Sequence, residues 1–180
     1  MKTNAVKTYV VYVSEKFPAY HPKAGELTLF ATAIGNALEN RAYVSIHHNG
    51  ESLVCDKKKI HTIRKNYAEW KRKETEINEG RAVLSIRQWN GSRYVKGATY
   101  TEIARLDKIV VQKINFSDTI EFVDETVYRP FIDNLQRTSS SFLIAANDGL
   151  NYTDFRDWFK GSDYKLNEPL AIIHFTDFRY

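Results

Sequence analysis

Short runs rich in β-branched and aromatic residues alternate along this chain with segments of helical periodicity, and that order constrains the fold most. Residues 8–13 (TYVVYV) and 82–89 (AVLSIRQW) have the composition of strands. Residues 26–39 and 67–78 place apolar side chains three and four positions apart, which predicts two helices. Further elements are expected as strands at 59–64, 100–114, 119–123 and 169–180, and as a helix from Thr153 to Gly161. The alternation predicts an α+β fold.

Two Asn-Gly dipeptides, at positions 49–50 and 90–91, mark expected turns. Asn-Gly is favoured in the tight turns of β-hairpins because both residues tolerate positive φ angles. The first dipeptide lies between apolar runs at 43–46 and 53–55, and the second between the strand at 82–89 and a short run at 93–95. We therefore predict two hairpins.

Length and composition are those of a chain with one core. With 180 residues, 43% of them hydrophobic and 27% charged, a second domain is not needed. The single cysteine, Cys55, excludes an internal disulfide and is typical of a reducing compartment. Residues 1–7 lack the apolar segment of a secretory signal, and no apolar run is long enough to span a bilayer. We expect a cytoplasmic protein.

No residue pattern indicates a metal or a cofactor. The five histidines do not fall at zinc-ligand spacings, and one cysteine cannot complete a thiolate site. Glycine-rich phosphate loops and the glycine context of a nucleophilic serine are also missing from the sequence. We therefore expect no metal site, no cofactor and no serine-type hydrolase.

The segment from Lys57 to Lys73 concentrates positive charge. It contains eight Lys or Arg and one acid, Glu69, for a net charge of +7; the whole chain carries +4, so the remainder sums to −3. A focused basic face attracts phosphates and speeds their encounter. The segment therefore predicts an anionic partner, while the alternative interpretation is a solvated basic edge.

Aromatic residues are more numerous than a core of this size requires, with eleven Tyr, ten Phe and three Trp. Tyr67, Trp70, Trp89 and Tyr94 lie near positive charges in the sequence, and Arg93 is expected to extend the basic face. Aromatic faces can stack bases while neighbouring cations hold phosphates. Trp70 also lies at helical spacing from Tyr67, which is typical of a core residue.

The basic segment and a later stretch resemble a known family. Residues 59–64 (KIHTIR) are similar to the Lys-x-x-Thr-x-Arg motif of ASCH domains. Residues 145–150 (AANDGL), followed by Asp154-Phe155 and the strand at 172–175, resemble the acidic turn, helix and closing strand of that family. The likeness covers roughly the second two thirds of the chain, from residue 60 onward.

The resemblance implies a small PUA-like β-barrel with flanking helices. Residues 1–180 would then form a single ASCH or PUA-like domain. Residues 14–56 would be an elaboration of it, made of a helix plus an inserted hairpin or loop.

The resemblance also implies a chemistry. ASCH members similar to bacterial N4-acetylcytidine amidohydrolase use a lysine, a threonine and a glutamate, and the matching positions are Lys59, Thr62 and Asp148. The threonine hydroxyl would attack the amide carbonyl, the lysine would act as base, and the carboxylate would handle the leaving amine. The sequence departs from this pattern in having Asp for Glu, and Lys57 and Lys58 where a glycine usually precedes the motif lysine. From the residues alone, the threonine is an ordinary strand hydroxyl and the aspartate a turn residue.

Functions of different classes remain open. The first is a module that binds RNA, a nucleotide or a nucleoside in a basic, aromatic-lined cleft. Its expected ligand-binding residues are Lys57, Lys58, His61, Arg64, Tyr67, Trp89 and Arg93. The second is an amidohydrolase acting on an acylated nucleoside such as N4-acetylcytidine, with Lys59, Thr62 and Asp148 as its catalytic residues; a ribonuclease using the same residues is the third. The positive charge favours binding, because a free nucleoside carries no phosphate to attract.

Overall fold

The computed structural model describes residues 6–91, 95–122, 125–133, 140–162 and 168–180. Within these ranges the chain forms nine strands and four helices, and the strands belong to three separate sheets. In chain order the elements are β1 (Lys7–Val13), α1 (Phe30–Leu38), β2 (Val44–His48), β3 (Glu51–Cys55), β4 (His61–Arg64), α2 (Tyr67–Asn78), β5 (Ala82–Asn90), β6 (Thr99–Leu106), β7 (Val110–Phe122), β8 (Glu125–Ile132), α3 (Ser141–Asn147), α4 (Tyr152–Lys160) and β9 (Leu170–His174).

The first sheet has the strand order β1-β5-β6. Strand β1 runs parallel to β5, and β6 runs antiparallel to it. Two parallel neighbours need a crossover connection, and here that connection contains α1, the β2–β3 hairpin, β4 and α2. The crossover therefore carries both the basic segment and the predicted Lys-x-x-Thr-x-Arg motif.

The second sheet is antiparallel throughout, with the order β4-β9-β7-β8. All five residues of β9 are buried. An uninterrupted apolar run is typical of a strand that is covered on both faces. Strand β4 lies at the edge of this sheet, and its residues Thr62 and Ile63 pair with Ile173 and Ile172.

The predicted β-barrel is wrong. None of the three sheets closes on itself within the described residues. Strands β1 and β4 lie at the edges of different sheets, and a side chain connects them: Arg64 Nη2 donates to the carbonyl oxygen of Tyr12 at 2.5 Å. A closed barrel would need backbone hydrogen bonds between these two strands, whereas the contact seen here is made by the Arg64 guanidinium.

The first predicted hairpin is confirmed. Strands β2 and β3 pair antiparallel, and the turn residues Asn49 and Gly50 have φ angles of 51° and 82°. These left-handed conformations are the reason for the Asn-Gly preference at such turns.

The second predicted hairpin lies partly outside the described residues, because Arg93 and Tyr94 are not among them. Strand β5 pairs antiparallel with β6. The single bent strand predicted at 100–114 is wrong, because β6 ends at Leu106 and β7 begins at Val110 in the other sheet. The strand predicted at 119–123 belongs to β7 as far as Phe122.

The predicted helix at 67–78 is confirmed with the same bounds in α2. This helix packs against β5, β7 and β9. Trp70 is buried, which confirms the core interpretation of its spacing. The buried carboxylate of Glu74 accepts the backbone N–H of Val111 at 2.9 Å, so α2 is also bonded to the second sheet.

The last helix begins one residue before the predicted cap. Asn151, rather than Thr153, caps α4 by accepting the backbone N–H of Asp154 at 2.8 Å. The largest fully buried apolar side chains come from both large sheets and from the helices. No helix among the described residues has the length and apolar content needed to cross a membrane.

Candidate functional site

Three backbone contacts fix the residues just before β4 at the centre of the molecule. The N–H of Lys59 donates to the carbonyl oxygen of Ala33 in α1 at 3.0 Å, and the N–H of Ile60 donates to that of Asn147 at 2.9 Å. Lys59 also forms an isolated β-bridge with Asp148. These contacts hold the motif lysine between α1 and the end of α3.

Lys59 and Asp148 form a buried ion pair. The Lys59 amine lies 2.5 Å from Asp148 Oδ1, and the two side chains are 2% and 10% exposed. The same amine donates to the Asp148 carbonyl oxygen at 2.7 Å and lies 4.2 Å from the centre of the Phe30 ring. A lysine this deeply buried is rare unless it is paired. The sequence predicted the pairing of these positions only through the family resemblance.

Burial and neighbouring charges shift the acid–base properties of the pair. Burial lowers the pKa of Lys59, Asp148 opposes that effect, and the positive charge of Arg64 adds to it. Burial alone would raise the pKa of Asp148, but the attraction of Lys59 and the contact with His61 outweigh it, so the pKa is lowered. The site therefore holds an ionised carboxylate beside an amine that releases its proton more readily than an exposed lysine.

The third predicted catalytic residue, Thr62, borders the same space. Lys59, Thr62 and Asp148 all line one cavity of about 530 Å³. Thr62 is almost fully buried in β4, where it pairs with Ile173 of β9. The structure thus brings the three predicted catalytic residues to a single cavity, called the Lys59 cavity below.

Aromatic side chains surround the rest of the Lys59 cavity. They come from β1, from the loop before α1, from α1, from α2 and from α4, and are Tyr12, Tyr20, Phe30, Trp70, Trp158 and Phe159. Flat aromatic walls suit a planar ligand, and a few polar groups among them can orient it. Tyr20, Phe30 and Trp158 were not among the predicted site residues. Helical periodicity marks Phe30 and Trp158 only as apolar and does not show which cavity they border, and Tyr20 lies in a loop without periodicity.

Arg64 lines the Lys59 cavity, and two of its nitrogens bond to backbone oxygens. One nitrogen donates to the Ile63 carbonyl oxygen at 2.9 Å and another to that of Tyr12 at 2.5 Å. Arg64 therefore joins two sheet edges and adds positive charge beside Lys59.

His61 lies behind the ion pair and not in the cavity wall. It is completely buried; its Nε2 lies 2.7 Å from the Tyr180 hydroxyl, and its Nδ1 lies 3.6 Å from Asp148 Oδ1. The Tyr180 hydroxyl also accepts the side-chain amide of Asn147 at 3.0 Å. Burial lowers the pKa of His61, so the ring is neutral near pH 7. Tyr180 was not predicted, and no spacing in the sequence marks it.

The other predicted binding residues do not converge on the Lys59 cavity. Lys57 is exposed, and Lys58 donates to Asn40 at 2.8 Å. Tyr67 lines a separate cavity beside Pro169. Trp89 stacks on Tyr12 with ring centres 4.7 Å apart and lines an adjoining cavity of about 780 Å³. The two neighbouring cavities share the wall formed by residues 12–14.

The basic segment does not form one open positive face. On α2, Lys71 pairs with Glu74 at 2.5 Å, and Arg72 pairs with Glu69 at 2.8 Å and also with Glu76. The count from 57 to 73 stops just short of three acids, Glu74, Glu76 and Glu79, and extending it to 79 lowers the net charge from +7 to +4. Helical spacing places Glu74 beside Lys71 and Glu76 beside Arg72, as i,i+3 and i,i+4 pairs.

A metal centre has no support among the described residues, since no group of three or more His, Cys, Asp or Glu side chains there is arranged to hold an ion. Comparisons of the chain with models of protein families, with curated proteins and with solved structures found no match.

Proposed function

We propose that this protein is a hydrolase that cleaves an amide bond of a flat, nucleoside-sized substrate in the Lys59 cavity. The observation that carries the proposal is the convergence of Lys59, Thr62 and Asp148 on that cavity, with two of them paired at 2.5 Å. Burying charged groups costs several kcal/mol unless they are well paired, and an apolar pair of similar volume is often more stable. Strongly perturbed ionisable groups that border a cavity are typical of active sites.

The size and walls of the cavity favour an acylated nucleoside as the substrate class. A volume of about 530 Å³ is within the range of small-molecule sites. The aromatic walls would hold the base, and the acyl group would lie toward Lys59 and Thr62. Such a substrate carries no phosphate and needs no phosphate contact.

The paired residues share one proton, and this proton supports a balanced reaction. Transfer along the Lys59–Asp148 hydrogen bond gives a neutral amine and a protonated carboxyl. Lys59 then takes the Thr62 proton as the threonine oxygen attacks the amide carbon, and Asp148 protonates the leaving nitrogen as the C–N bond breaks. The products of this half are the free amine, an acyl ester on Thr62, an ammonium on Lys59 and a carboxylate on Asp148.

Hydrolysis of the ester regenerates Thr62 and the neutral Lys59–Asp148 pair, and return of the proton from Asp148 to Lys59 then restores the ion pair. Asp148 takes a proton from water as the water oxygen attacks the ester carbon, and Lys59 returns its proton to the Thr62 oxygen as that bond breaks. The sum is one amide and one water converted into one amine and one carboxylic acid.

The test is turnover of a panel of acylated nucleosides, including N4-acetylcytidine, followed by chromatography of the deacylated product. We expect release of the acyl group by the native protein and its loss in Thr62→Val, which keeps the shape but lacks the hydroxyl. Thr101→Val is the matched control, because Thr101 is an exposed threonine on β6. The proposal fails if no acylated nucleoside is deacylated, or if Thr62→Val remains as active as the control.

Binding of a nucleotide or RNA without chemistry is the second candidate, and the stacked pair of Tyr12 and Trp89 supports it. This pair borders the adjoining cavity, beside Lys16. If RNA stacks on Trp89, single-stranded RNA should quench the tryptophan fluorescence of the protein. The candidate is rejected if Trp89→Ala and the native protein bind the RNA equally well.

A further inference from the structure

The buried contacts behind the ion pair form a connected chain. Asn147 Nδ2 donates to the Tyr180 hydroxyl at 3.0 Å, and this hydroxyl lies 2.7 Å from His61 Nε2. His61 Nδ1 in turn lies 3.6 Å from Asp148 Oδ1 and has no hydrogen-bond partner among the described residues. A buried ring nitrogen left without a partner calls for an explanation.

The hydrogen bond from Asn147 to Tyr180 favours one tautomer of His61. Because the Asn147 amide donates to the Tyr180 oxygen, the hydroxyl proton of Tyr180 is available for His61 Nε2. A neutral imidazole that accepts at Nε2 carries its proton at Nδ1. That N–H faces the carboxylate of Asp148.

The backbone of Tyr180 is held in place as well. Its N–H donates to Gln112 Oε1 at 3.0 Å, and its carbonyl oxygen accepts Gln112 Nε2 at 3.4 Å. Gln112 belongs to β7, the neighbour of β9 in the second sheet. The sheet thus holds the backbone of Tyr180, while Asn147 and His61 contact its hydroxyl.

We propose that Tyr180 and His61 are positioning residues for the Lys59–Asp148 pair: Tyr180 fixes the His61 tautomer so that Nδ1–H stabilises the Asp148 carboxylate. The role rests on the proposed hydrolase function, because it describes the proton balance of that same site. When Lys59 acts on Thr62 during the reaction, His61 Nδ1–H still faces the Asp148 carboxyl group. A short movement of the Asp148 side chain would turn the 3.6 Å contact into a hydrogen bond.

Lys59 and His61 act directly on the pKa of the Asp148 carboxyl, and Asp148 in turn acts on the pKa of Tyr180. Further groups act on these neighbours: Arg64 on Lys59, while His61 and Arg179 both act on His174. Burial lowers the pKa of His174 to about 3, so this ring is neutral near pH 7 but titrates at the acid end of the Asp148 titration, where its own signal has to be followed separately. Arg179 stays charged throughout, because its guanidinium remains protonated at all working pH values.

The first experiment is nitrogen NMR of His61 in the native protein, which needs neither a substrate nor a variant. We expect the pyrrole-type signal, with its proton, at Nδ1 and the pyridine-type signal at Nε2. The opposite tautomer would overturn the proposal, because Nδ1 would then present a lone pair to the carboxylate.

The second experiment follows the Asp148 carboxyl carbon by NMR during a pH titration of Tyr180→Phe. Without the hydroxyl, His61 is free to adopt the other tautomer, so the carboxylate loses its facing donor and the midpoint should rise by about one pH unit. Tyr9→Phe is the matched control, because Tyr9 also donates through its hydroxyl, to Glu76 at 2.6 Å, and does not line the Lys59 cavity. An unchanged midpoint in Tyr180→Phe would overturn the proposal.

The outcomes separate this inference from the proposed function. If the tautomer and the midpoint behave as expected but no acylated nucleoside is deacylated, the positioning role stands and the hydrolase function fails. If turnover is found, the acid limb of the kcat/KM profile should move upward in Tyr180→Phe together with the NMR midpoint. A loss of turnover without that movement would reduce Tyr180 to an ordinary structural residue.

Discussion

Gly149 leaves room for Lys59: a Cβ atom at position 149 would lie 3.1 Å from Lys59 Cβ. Gly149 also has a φ of 79°, in the left-handed region that other residues rarely adopt. The glycine next to Asp148 is therefore required both by the backbone turn and by the close approach of the lysine.

We predict that Gly149→Ala lowers the free energy of unfolding by about 1–2 kcal/mol from backbone strain alone, with contact against Lys59 adding to it. Urea denaturation measures the change. Gly50→Ala is the control, because Gly50 has a φ of 82° and open space around the added methyl. Equal losses in the two variants would show that the contact with Lys59 adds nothing.

We predict that removing either member of the ion pair is more damaging than removing both. Lys59→Met or Asp148→Leu leaves one buried charge alone and should cost about 3–5 kcal/mol in the free energy of unfolding. The double variant carries no buried charge and should recover a large part of that loss. Denaturation of the four proteins forms a double-mutant cycle, and additive losses would contradict a coupled pair.

The lowered pKa of Asp148 gives a pH dependence of known sign. A carboxyl whose pKa is lower when folded stabilises the protein above its unfolded pKa, and this contribution is lost as the pH falls through the folded pKa. The difference in unfolding free energy between the native protein and Asp148→Asn should therefore be largest near pH 7 and shrink below about pH 4. Urea denaturation at a series of pH values measures it, and a constant difference would contradict the prediction.

The proposed attack by Thr62 predicts a graded response to substitution. Thr62→Ser keeps a hydroxyl and should retain measurable deacylation, whereas Thr62→Val should lose at least about a hundredfold in kcat. Both variants should still bind substrate, since the aromatic walls are unchanged. Single-turnover kinetics and equilibrium binding separate the two effects, and a serine variant as inactive as the valine variant would argue against a hydroxyl nucleophile.

The ion pairs of α2 predict that its cations contribute little to RNA binding. Arg72 is held by Glu69 and Glu76, so Arg72→Gln should change the affinity for single-stranded RNA by less than about twofold and leave its salt dependence unchanged. Lys57→Gln, at an exposed lysine, is the variant with which Arg72→Gln is compared. A marked weakening by Arg72→Gln in a low-salt binding titration would restore the basic face predicted from the sequence.

Local patterns predicted the local structure well. Strand β1, the turn at Asn49-Gly50 and the bounds of α2 depend on neighbouring residues, and the sequence contains the information for each. The closure of a barrel depends instead on which sheet edges meet. Arg64 connects β1 to β4 through its side chain. The residue pattern of either strand would be the same if the two strands were paired through their backbones, so the sequence could not exclude a barrel.

Only part of the candidate site was predictable from the sequence, because the site also depends on contacts between distant residues. Lys59, Thr62 and Asp148 were paired through a resemblance, and the structure places all three at one cavity. The net charge of +7 wrongly suggested an open basic face, because it was counted only to residue 73. Acids one helical turn further on lie beside the lysines and arginines. Tyr180 reaches His61 only through the tertiary fold, so its place could not be inferred from spacing.

The hydrogen bond between Lys59 and Asp148 spans 89 positions of the chain. Contacts of such high sequence separation form only after a large loop has closed, which is slow and entropically costly. In a partly folded chain with only the first sheet formed, Lys59 would lack the carboxylate of Asp148 as its partner. Appearance of the shifted Asp148 signal during refolding would therefore report completion of the whole fold, and chemistry at this site would begin only then.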